Sequence, residues 1–367
     1  MGAYAIDVSA RDVSRSFALR NLLIRSSLEV LYFSGAHWLF RRWWGGVGAI
    51  VTLHHVRPAR DGPFQPNRSL EVTPEFLDRF IRARRRQGFE FVSLDEMHHR
   101  LKSRAFRSRL ICLTFDDAYL DTLQFAYPIM KRHDVPFAVY IPTSFPDRRG
   151  YLWWLTLEAV VAASDYIDLP NEYAVRRMSC RTPAQKWRAI NVIHSALCAG
   201  SEKRLREIVG QIAVRAGVTP FTSDDSLCMS WQELADLAAD PLVTIGAHTV
   251  NHPRLRKEIT PVAWSEMAES VARIKAMLGL SPKHFAYPFG DPSAAGPREF
   301  AMARELGFKT AVTTRPGVLF PEHRGHLTAL PRISLNGQFQ RPRYMTVLTS
   351  GVATALSNRF QRLNVSH

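Results

Sequence analysis

From about residue 48 to residue 335 the chain alternates strand-like apolar stretches with helical patterns, and this alternation constrains the fold most. The helix signals are clear. Thr73 and Pro74 start one helix that Gly88 ends, and Ser230 forms a predicted capping box with Glu233. The strand-like stretches lie at residues 49–56, 110–115, 135–145, 242–249, 283–290, 309–314 and 327–334. Strands that alternate with helices in this way imply a parallel sheet or barrel.

Residues 150–228 interrupt the alternation. The stretches "LWWLTLEAVVAA" and "PAQKWRAINVIHSALCAGSEKRLREIVGQIAVRAG" both predict helices, with no strand between them. We interpret this region as a helical insertion, in which Trp153 and Trp154 belong to the core or stack on a sugar ring. The predicted organisation is an N-terminal segment at 1–47, a main domain at 48–335 with the insertion at about 150–228, and a C-terminal tail at 336–367.

The composition is that of a globular protein with one unusual property, its charge. Hydrophobic residues make up 46% and charged residues 22%, but the net charge is +15. Such a balance indicates either an acidic partner (an anionic membrane surface, nucleic acid or an anionic polymer) or merely a basic surface. The four cysteines form no CxxC pair, so neither a zinc ribbon nor a disulfide framework is indicated, and a reduced compartment fits them.

The N-terminal segment is basic and rich in aromatic residues. Charged residues interrupt its beginning, which does not resemble a cleaved signal peptide and favours the cytoplasmic side. Residues 21–50 contain Leu, Phe and Trp, but interspersed charges leave no run of about 20 apolar residues, which argues against a spanning helix. The segment is either an interfacial amphipathic element at an anionic membrane or a helix packed on the main domain.

Two aspartates end the strand-like stretch in "LICLTFDDAYLD". A bare charge in an apolar setting is costly, so Asp116 and Asp117 must be solvated, paired or bound to a cation. One aspartate can bind a metal while its neighbour acts as a base. The alternative is structural, because either aspartate could cap the helix predicted to start near residue 119.

Two histidines follow a second strand-like stretch, in "GAHTVNHPRL". His248 and His252 are four residues apart, so a helical turn would place both imidazoles on one face. Two imidazoles and one carboxylate form a three-ligand set that leaves a position open for water. Because the carboxyl ends of parallel strands face the same side, the aspartates and histidines are expected to meet there.

The motifs "TFDD", "HTVNH" and "FAYPFG", in this order and each at a strand end, resemble the polysaccharide deacetylases of the NodB-homology type, carbohydrate esterase family four. The resemblance covers about residues 48–335. It implies a distorted (β/α) barrel of about seven strands, a divalent metal and hydrolysis of an N-acetyl group from an amino sugar. Zinc is the usual metal, and an Asp-His-His set also suits cobalt or nickel.

The resemblance assigns roles to the motif residues. Asp116 corresponds to the general base, and Asp117, His248 and His252 to the metal ligands. The backbone N–H of Phe289 would donate to the oxyanion, and Tyr287 and Pro288 belong to the same substrate-binding motif.

Three departures from the family pattern concern the catalytic machinery. Ala286 replaces the arginine that normally orients the base, and we expect Arg332 in "LPRIS" to supply that charge, unless it is an ordinary surface arginine. His54 in "LHHV" is the candidate general acid or else a core histidine, because neither of the late histidines, His323 and His326, fits the usual motif. Ala118 replaces a glycine and would be strained if the backbone there has a positive φ.

These features favour a metal-dependent N-deacetylase acting on a GlcNAc-containing polysaccharide or oligosaccharide, such as a chitin-like chain. We expect it on the cytoplasmic side, peripheral to the inner membrane face. The alternative is a glycan-binding protein on a degenerate deacetylase scaffold, supported by Ala118 and Ala286. Nucleic-acid binding is not expected, since no recognised motif accompanies the basic surface. The sequence does not assign an oligomeric state.

Overall fold

The computed structural model of the protein describes residues 10–170 and 177–365, with side chains described from residue 21 onward. The strands in these residues are β1 (Gly48–Leu53), β2 (His55–Val56), β3 (Glu71–Val72), β4 (Phe89–Phe91), β5 (Arg109–Phe115), β6 (Phe137–Ile141), β7 (Tyr166–Asp168), β8 (Arg177–Ser179), β9 (Val243–Ala247), β10 (His284–Ala286), β11 (Thr310–Pro316) and β12 (Leu330–Ser334).

Helices connect most of these strands. In the same described ranges they are α1 (Ala10–Phe33), α2 (Ala36–Leu39), α3 (Arg41–Trp44), α4 (Pro74–Arg86), α5 (Leu94–Ser103), α6 (Tyr127–His133), α7 (Trp153–Ala163), α8 (Pro183–Ala199), α9 (Glu202–Arg215), α10 (Trp231–Ala238), α11 (Thr260–Leu278), α12 (Pro297–Glu305), α13 (Pro342–Thr349) and α14 (Val352–Ser357). None of them is long and apolar enough to cross a bilayer.

Seven strands form a closed parallel barrel, which confirms the fold class predicted from the sequence. The order around the barrel is β1, β12, β11, β10, β9, β6 and β5, and pairing of β5 with β1 closes the ring. The short strand β4 also pairs with β5, outside this ring. A closed ring of parallel strands brings all their carboxyl ends to one end of the barrel, where active sites of such folds form.

The interior of the barrel is apolar toward its amino end. Ile50, Cys112, Tyr140, Val312 and Leu330 are fully buried in one cluster contributed by five different strands. Side chains two residues further along β5 and β12 are polar, because every second residue of a strand faces the same side. The side chains of Thr114 and Arg332 therefore lie in the barrel interior, close to the carboxyl ends of β5 and β12.

Local signals set the helix boundaries as expected. The Thr73 side chain accepts a hydrogen bond from the backbone N–H of Phe76, and Pro74 occupies the first turn of α4. The predicted capping box at Ser230 and Glu233 is confirmed at the start of α10. These contacts satisfy backbone donors that have no partner within the helix.

The structure corrects the expectation for the insertion and adds helices beyond it. The region 150–228 contains an antiparallel hairpin, β7 with β8, where we expected helices alone. Both strands are only three residues long, which is too short for a periodic apolar pattern to appear in the sequence. The tail beyond residue 340, which carries no clear signal, forms α13 and α14.

The chain divides into two compact units. One comprises the described residues of 1–27, 60–69 and 151–222; the other comprises residues 28–59, 70–150 and 223–367 and contains the barrel. In the first unit Trp153 and Trp154 are buried, which confirms the interpretation that they belong to a core and leaves little surface for stacking on a sugar.

Candidate active site

The two aspartates extend the carboxyl end of β5. The backbone N–H of Asp116 donates to the carbonyl of Leu53 at 2.9 Å, so Asp116 continues the pairing of β5 with β1. The chain then turns through left-handed backbone at Asp117 (φ 72°) and Ala118 (φ 49°). A side chain at such a φ costs about 1–2 kcal/mol, so the Ala118 departure does introduce strain at the site. Neither aspartate caps the next helical segment, whose N-cap residue is Asp121.

Asp116 forms a buried, bidentate ion pair with Arg332. Nη1 and Nη2 of Arg332 each donate to one carboxylate oxygen of Asp116 at 2.7 Å, and Nε donates to the carbonyl of Thr313 at 2.8 Å. Burial alone would raise the pKa of Asp116, but the charge and hydrogen bonds of Arg332 outweigh it and hold the pKa below its usual value. Asp116 is therefore an ionised base at neutral pH.

Asp117, His248 and His252 form a buried cluster beside this pair. Oδ1 of Asp117 lies 3.5 Å from Nε2 of His248 and 3.2 Å from Nε2 of His252, and one ligand atom from each residue lies within 4.8 Å of the others. Oδ1 of Asp117 is buried and accepts no hydrogen bond from the described residues. A buried carboxylate oxygen facing two imidazole nitrogens is a donor set that fits a divalent metal.

The two histidines converge through a loop, which differs from the helical turn expected from their spacing. No helix follows β9 directly, and Thr249 (φ 66°) and His252 (φ 58°) both adopt left-handed backbone. The Thr249 hydroxyl accepts a hydrogen bond from the backbone N–H of His252 at 3.0 Å. The turn brings the imidazole rings to 4.9 Å, so the histidines meet through loop geometry and not through helical periodicity.

A backbone carbonyl fixes the orientation of His248. Its Nδ1–H donates to the carbonyl of Ala286 at 2.6 Å, which leaves Nε2 unprotonated and directed toward Asp117. Burial, together with the neighbouring His252, lowers the pKa of His248 to about 4, although both aspartates oppose the shift. His248 is therefore a neutral imidazole at neutral pH, the form that binds metals.

His54 lies at the rim of the site. The expected strand 49–56 breaks here, because β1 ends at Leu53 and β2 begins at His55. Nε2 of His54 is 3.9 Å from Oδ2 of Asp116, and its side chain is 20% exposed, so it is not a fully enclosed core histidine. The neighbouring His55 instead pairs through Nδ1 with Asp121 at 2.7 Å. Burial lowers the pKa of His54 against the opposing charges of Asp116 and Asp117.

The third motif, "FAYPFG" at residues 285–290, contributes a backbone turn and one aromatic ring to the site. Phe289 has a left-handed φ of 61°, and its ring lies 4.9 Å from that of His252. Pro288 is buried in the same turn, where its carbonyl accepts the N–H of Gly290 at 2.7 Å. Tyr287 has a fully buried side chain whose hydroxyl donates to the carbonyl of Thr328 at 2.8 Å. That packing leaves the Tyr287 ring no surface with which to contact a glycan.

Two further residues support the site and were not identified from the sequence. Arg254 is buried, with its guanidinium carbon 3.7 Å from the centre of the Phe289 ring. Glu266 on α11 accepts hydrogen bonds from the backbone N–H groups of Val250 and Asn251 at 2.9 and 2.8 Å. Arg254 lies two residues after His252, and Glu266 lies within an ordinary helical pattern. Neither residue belongs to a recognisable motif, so the sequence did not identify them.

Comparison with known proteins agrees with this geometry. The family model described as polysaccharide deacetylase matches residues 201–311, which contain the second and third motifs but not the aspartate pair. No curated protein sequence matches the chain.

Solved structures share the fold at low sequence identity. A Streptococcus pyogenes deacetylase, PplD, in complex with acetate is 17% identical with a TM-score of 0.54, over 81% of this chain and 96% of that one. IcaB from Ammonifex degensii is 17% identical with a TM-score of 0.50, over 83% of this chain and 98% of the other. A polysaccharide deacetylase from Bacillus cereus is 12% identical with a TM-score of 0.50, over 82% of this chain and 68% of that one.

The family match falls on the part of the barrel that provides the two histidines and the Phe289 turn, and the solved structures extend the same fold over the rest of it. The chain therefore resembles the polysaccharide deacetylases over residues 201–311, and its fold is that of solved deacetylase structures.

Proposed function

We propose that this chain removes N-acetyl groups from an amino-sugar glycan in a divalent-metal-dependent hydrolysis. The observation that carries the proposal is the buried Asp117–His248–His252 cluster beside the ion pair of Asp116 with Arg332 at the carboxyl end of the barrel. Asp117, His248 and His252 would hold the cation, with zinc as the first choice and cobalt or nickel as alternatives. Such a cation polarises a carbonyl and lowers the pKa of water.

Asp116 is the proposed general base. Its carboxylate is kept ionised by Arg332 and lies next to the cluster, where it can accept a proton from the attacking water. The water oxygen forms a bond to the acetamide carbon, and the carbon–nitrogen bond then breaks to give acetate and a free amine. Arg332 holds both carboxylate oxygens in place, which is the orienting task that Ala286 cannot perform.

His54 is the proposed general acid. It lies 3.9 Å from Asp116 and retains an exposed edge from which it can protonate the leaving amine. Because its pKa is lowered, His54 is neutral before reaction and must receive the proton it donates, and Asp116 is the adjacent source.

The backbone N–H of Phe289 is the proposed donor to the oxyanion. A main-chain donor does not depend on whether the residue is Tyr or Phe, and the left-handed turn brings this residue against His252. The structurally similar S. pyogenes deacetylase was solved with acetate, which is the product expected for this chain.

The test is acetate release from GlcNAc oligomers. Metal-loaded wild-type protein is compared with Asp116→Asn and with an EDTA-treated sample, and metal content is measured in each stock. Release by the loaded wild type alone supports both the reaction and the metal dependence. Wild-type protein that binds metal and GlcNAc oligomers but releases no acetate would favour the glycan-binding alternative.

A further inference from the structure

An apolar surface of unusual density lies near the start of the second unit. Within residues 33–43, large hydrophobic side chains are exposed by 75, 65, 54, 44 and 42%; we call Phe33, Trp38, Leu39, Phe40 and Trp43 the aromatic patch. Single exposed hydrophobic residues are normal on a protein surface, but five within eleven residues of sequence are a concentration that indicates a binding surface.

The local fold exposes the patch. Helices α2 and α3 are each four residues long and contain no buried residue, so almost none of their apolar area contributes to the core. Phe360 extends the surface from the C-terminal side: it is 56% exposed, and its ring lies 5.4 Å from that of Trp44. Folding therefore leaves most of the area of these large side chains exposed.

The patch is accompanied by positive charge. Arg41 and Arg42 are both exposed, and the Arg42 guanidinium lies 3.8 Å from the centre of the Trp43 ring. Across the described part of the chain, neither arginine forms an ion pair with an acidic side chain, and the whole chain carries a net charge of +15. Exposed Trp and Phe with adjacent arginines match the chemistry of a lipid headgroup layer with anionic groups.

The patch lies at the amino end of the barrel. Arg109, the first residue of β5, donates to the carbonyl of Gly45, which directly follows α3, at 2.6 Å. The aspartates follow the last residue of the same strand. The aromatic patch and the catalytic cluster therefore face opposite ends of the barrel.

We propose that the aromatic patch docks the protein on an anionic membrane leaflet, with the catalytic end directed away from the bilayer. An anionic surface of this kind is characteristic of the cytoplasmic leaflet, and we assign the docking to that side. Trp38, Phe40 and Trp43 enter the headgroup region, while Arg41 and Arg42 pair with lipid phosphates. In this orientation the enzyme reaches a glycan extending into the aqueous phase, and not an acetylated headgroup in the same leaflet.

Docking is tested by sedimentation of the full chain with vesicles of phosphatidylcholine alone or with 30% phosphatidylglycerol, at low salt. Wild-type protein is expected to bind the anionic vesicles only. Arg41→Glu with Arg42→Glu is expected to weaken binding roughly tenfold or more. The matched control is Lys203→Glu with Arg215→Glu, two exposed residues outside the patch that give the same change in net charge. Equal weakening by both pairs, or no wild-type binding, would overturn the proposal.

A second measurement tests the residues and the orientation directly. Lipids brominated in the upper acyl chain quench tryptophans that enter the bilayer. Trp38→Phe with Trp43→Phe keeps an aromatic surface, so binding should persist while most of the quenching is lost. Quenching that remains unchanged in this variant would place other tryptophans at the membrane and refute the proposed orientation. Neither measurement requires acetate release, so failure of the proposed reaction would be distinguishable from failure of docking.

Discussion

At the scale of single residues, the most informative contact is the ion pair of Asp116 with Arg332. Both side chains are almost fully buried, and among the residues that the structure describes neither has another opposite charge as close. Removing one partner of such a pair leaves an uncompensated buried charge, which costs about 3–5 kcal/mol. The pair therefore contributes both to the ionisation of the proposed base and to the integrity of the site.

Replacing Arg332 should change the pH dependence of the reaction. In Arg332→Met, the charge and hydrogen bonds of Arg332 no longer oppose burial, so the pKa of Asp116 should rise and activity should be lost at a higher pH on the acidic side. Arg332→Lys restores a charge without the bidentate geometry and should recover part of the shift. The measurement is kcat/KM against pH, and an unchanged acid limb in Arg332→Met would contradict the assigned role.

Asp116→Asn tests whether Asp116 accepts the proton in the proposed reaction. The amide keeps the shape of the side chain but accepts no proton, so kcat should fall by about 10²–10⁴-fold. Metal content should remain close to that of the wild type, since Asp116 is not among the clustered ligands. A loss of metal parallel to the loss of activity would instead place Asp116 in the metal site.

At the scale of elements, the loop that follows β9 decides whether the proposed metal ligands converge. Glu266 on α11 binds two consecutive backbone N–H groups of this loop, and its Oε1 accepts from Nδ2 of Asn251 at 2.7 Å. A helix side chain thus anchors a loop that contains left-handed residues.

Glu266→Ala should weaken metal binding by about tenfold or more, because loss of a group that orients metal ligands typically costs about 10–100-fold in metal affinity. Metal affinity is measured by competition with a chromogenic chelator. Glu269→Ala, an exposed change three residues further along the same helix, is the control. If both variants bind metal like the wild type, the loop holds its shape without Glu266.

At the scale of the whole molecule, a charged cluster joins α1 to α13 across more than 300 residues of sequence. Glu29 accepts hydrogen bonds from Arg343 at 2.7 and 2.6 Å and from the hydroxyl of Tyr344 at 2.6 Å. The hydrogen bond from Arg343 is the largest cause that lowers the pKa of Glu29 to about 2, followed by that from Tyr344. The cluster fixes the C-terminal helices to the start of the second unit.

This contact should make stability depend on pH in a defined window. Because the folded pKa of Glu29 lies below its ordinary value of 4.5, the contribution is fully present above about pH 4.5 and is lost as the pH falls toward 2. Glu29→Gln should therefore lower Tm at neutral pH, and the difference from the wild type should shrink toward pH 2. Thermal melts of both proteins from pH 2 to 7 measure this, and a constant difference would refute it.

Sequence reasoning succeeded for features that depend on neighbouring residues. The strands that form the barrel, the N-caps of α4 and α10 and the order of the three motifs follow from local periodicity and capping chemistry. The spacing of His248 and His252 indicated a metal site but suggested the wrong local geometry. A four-residue spacing is compatible with a helical turn, and sequence carries no sign of the positive φ values that replace it.

The sequence by itself determined the parallel α/β class and the set of groups available at the carboxyl ends of the strands, because the alternation of strands with helices is encoded locally. Only the tertiary structure decided which groups meet. Arg332 lies beside Asp116, which is 216 residues earlier in the chain, because β5 and β12 both pair with β1 when the barrel closes. Tyr287 is buried, and its hydroxyl donates to the carbonyl of Thr328. Such contacts depend on strand order and register, which link residues far apart in the chain and leave no trace in the neighbouring sequence.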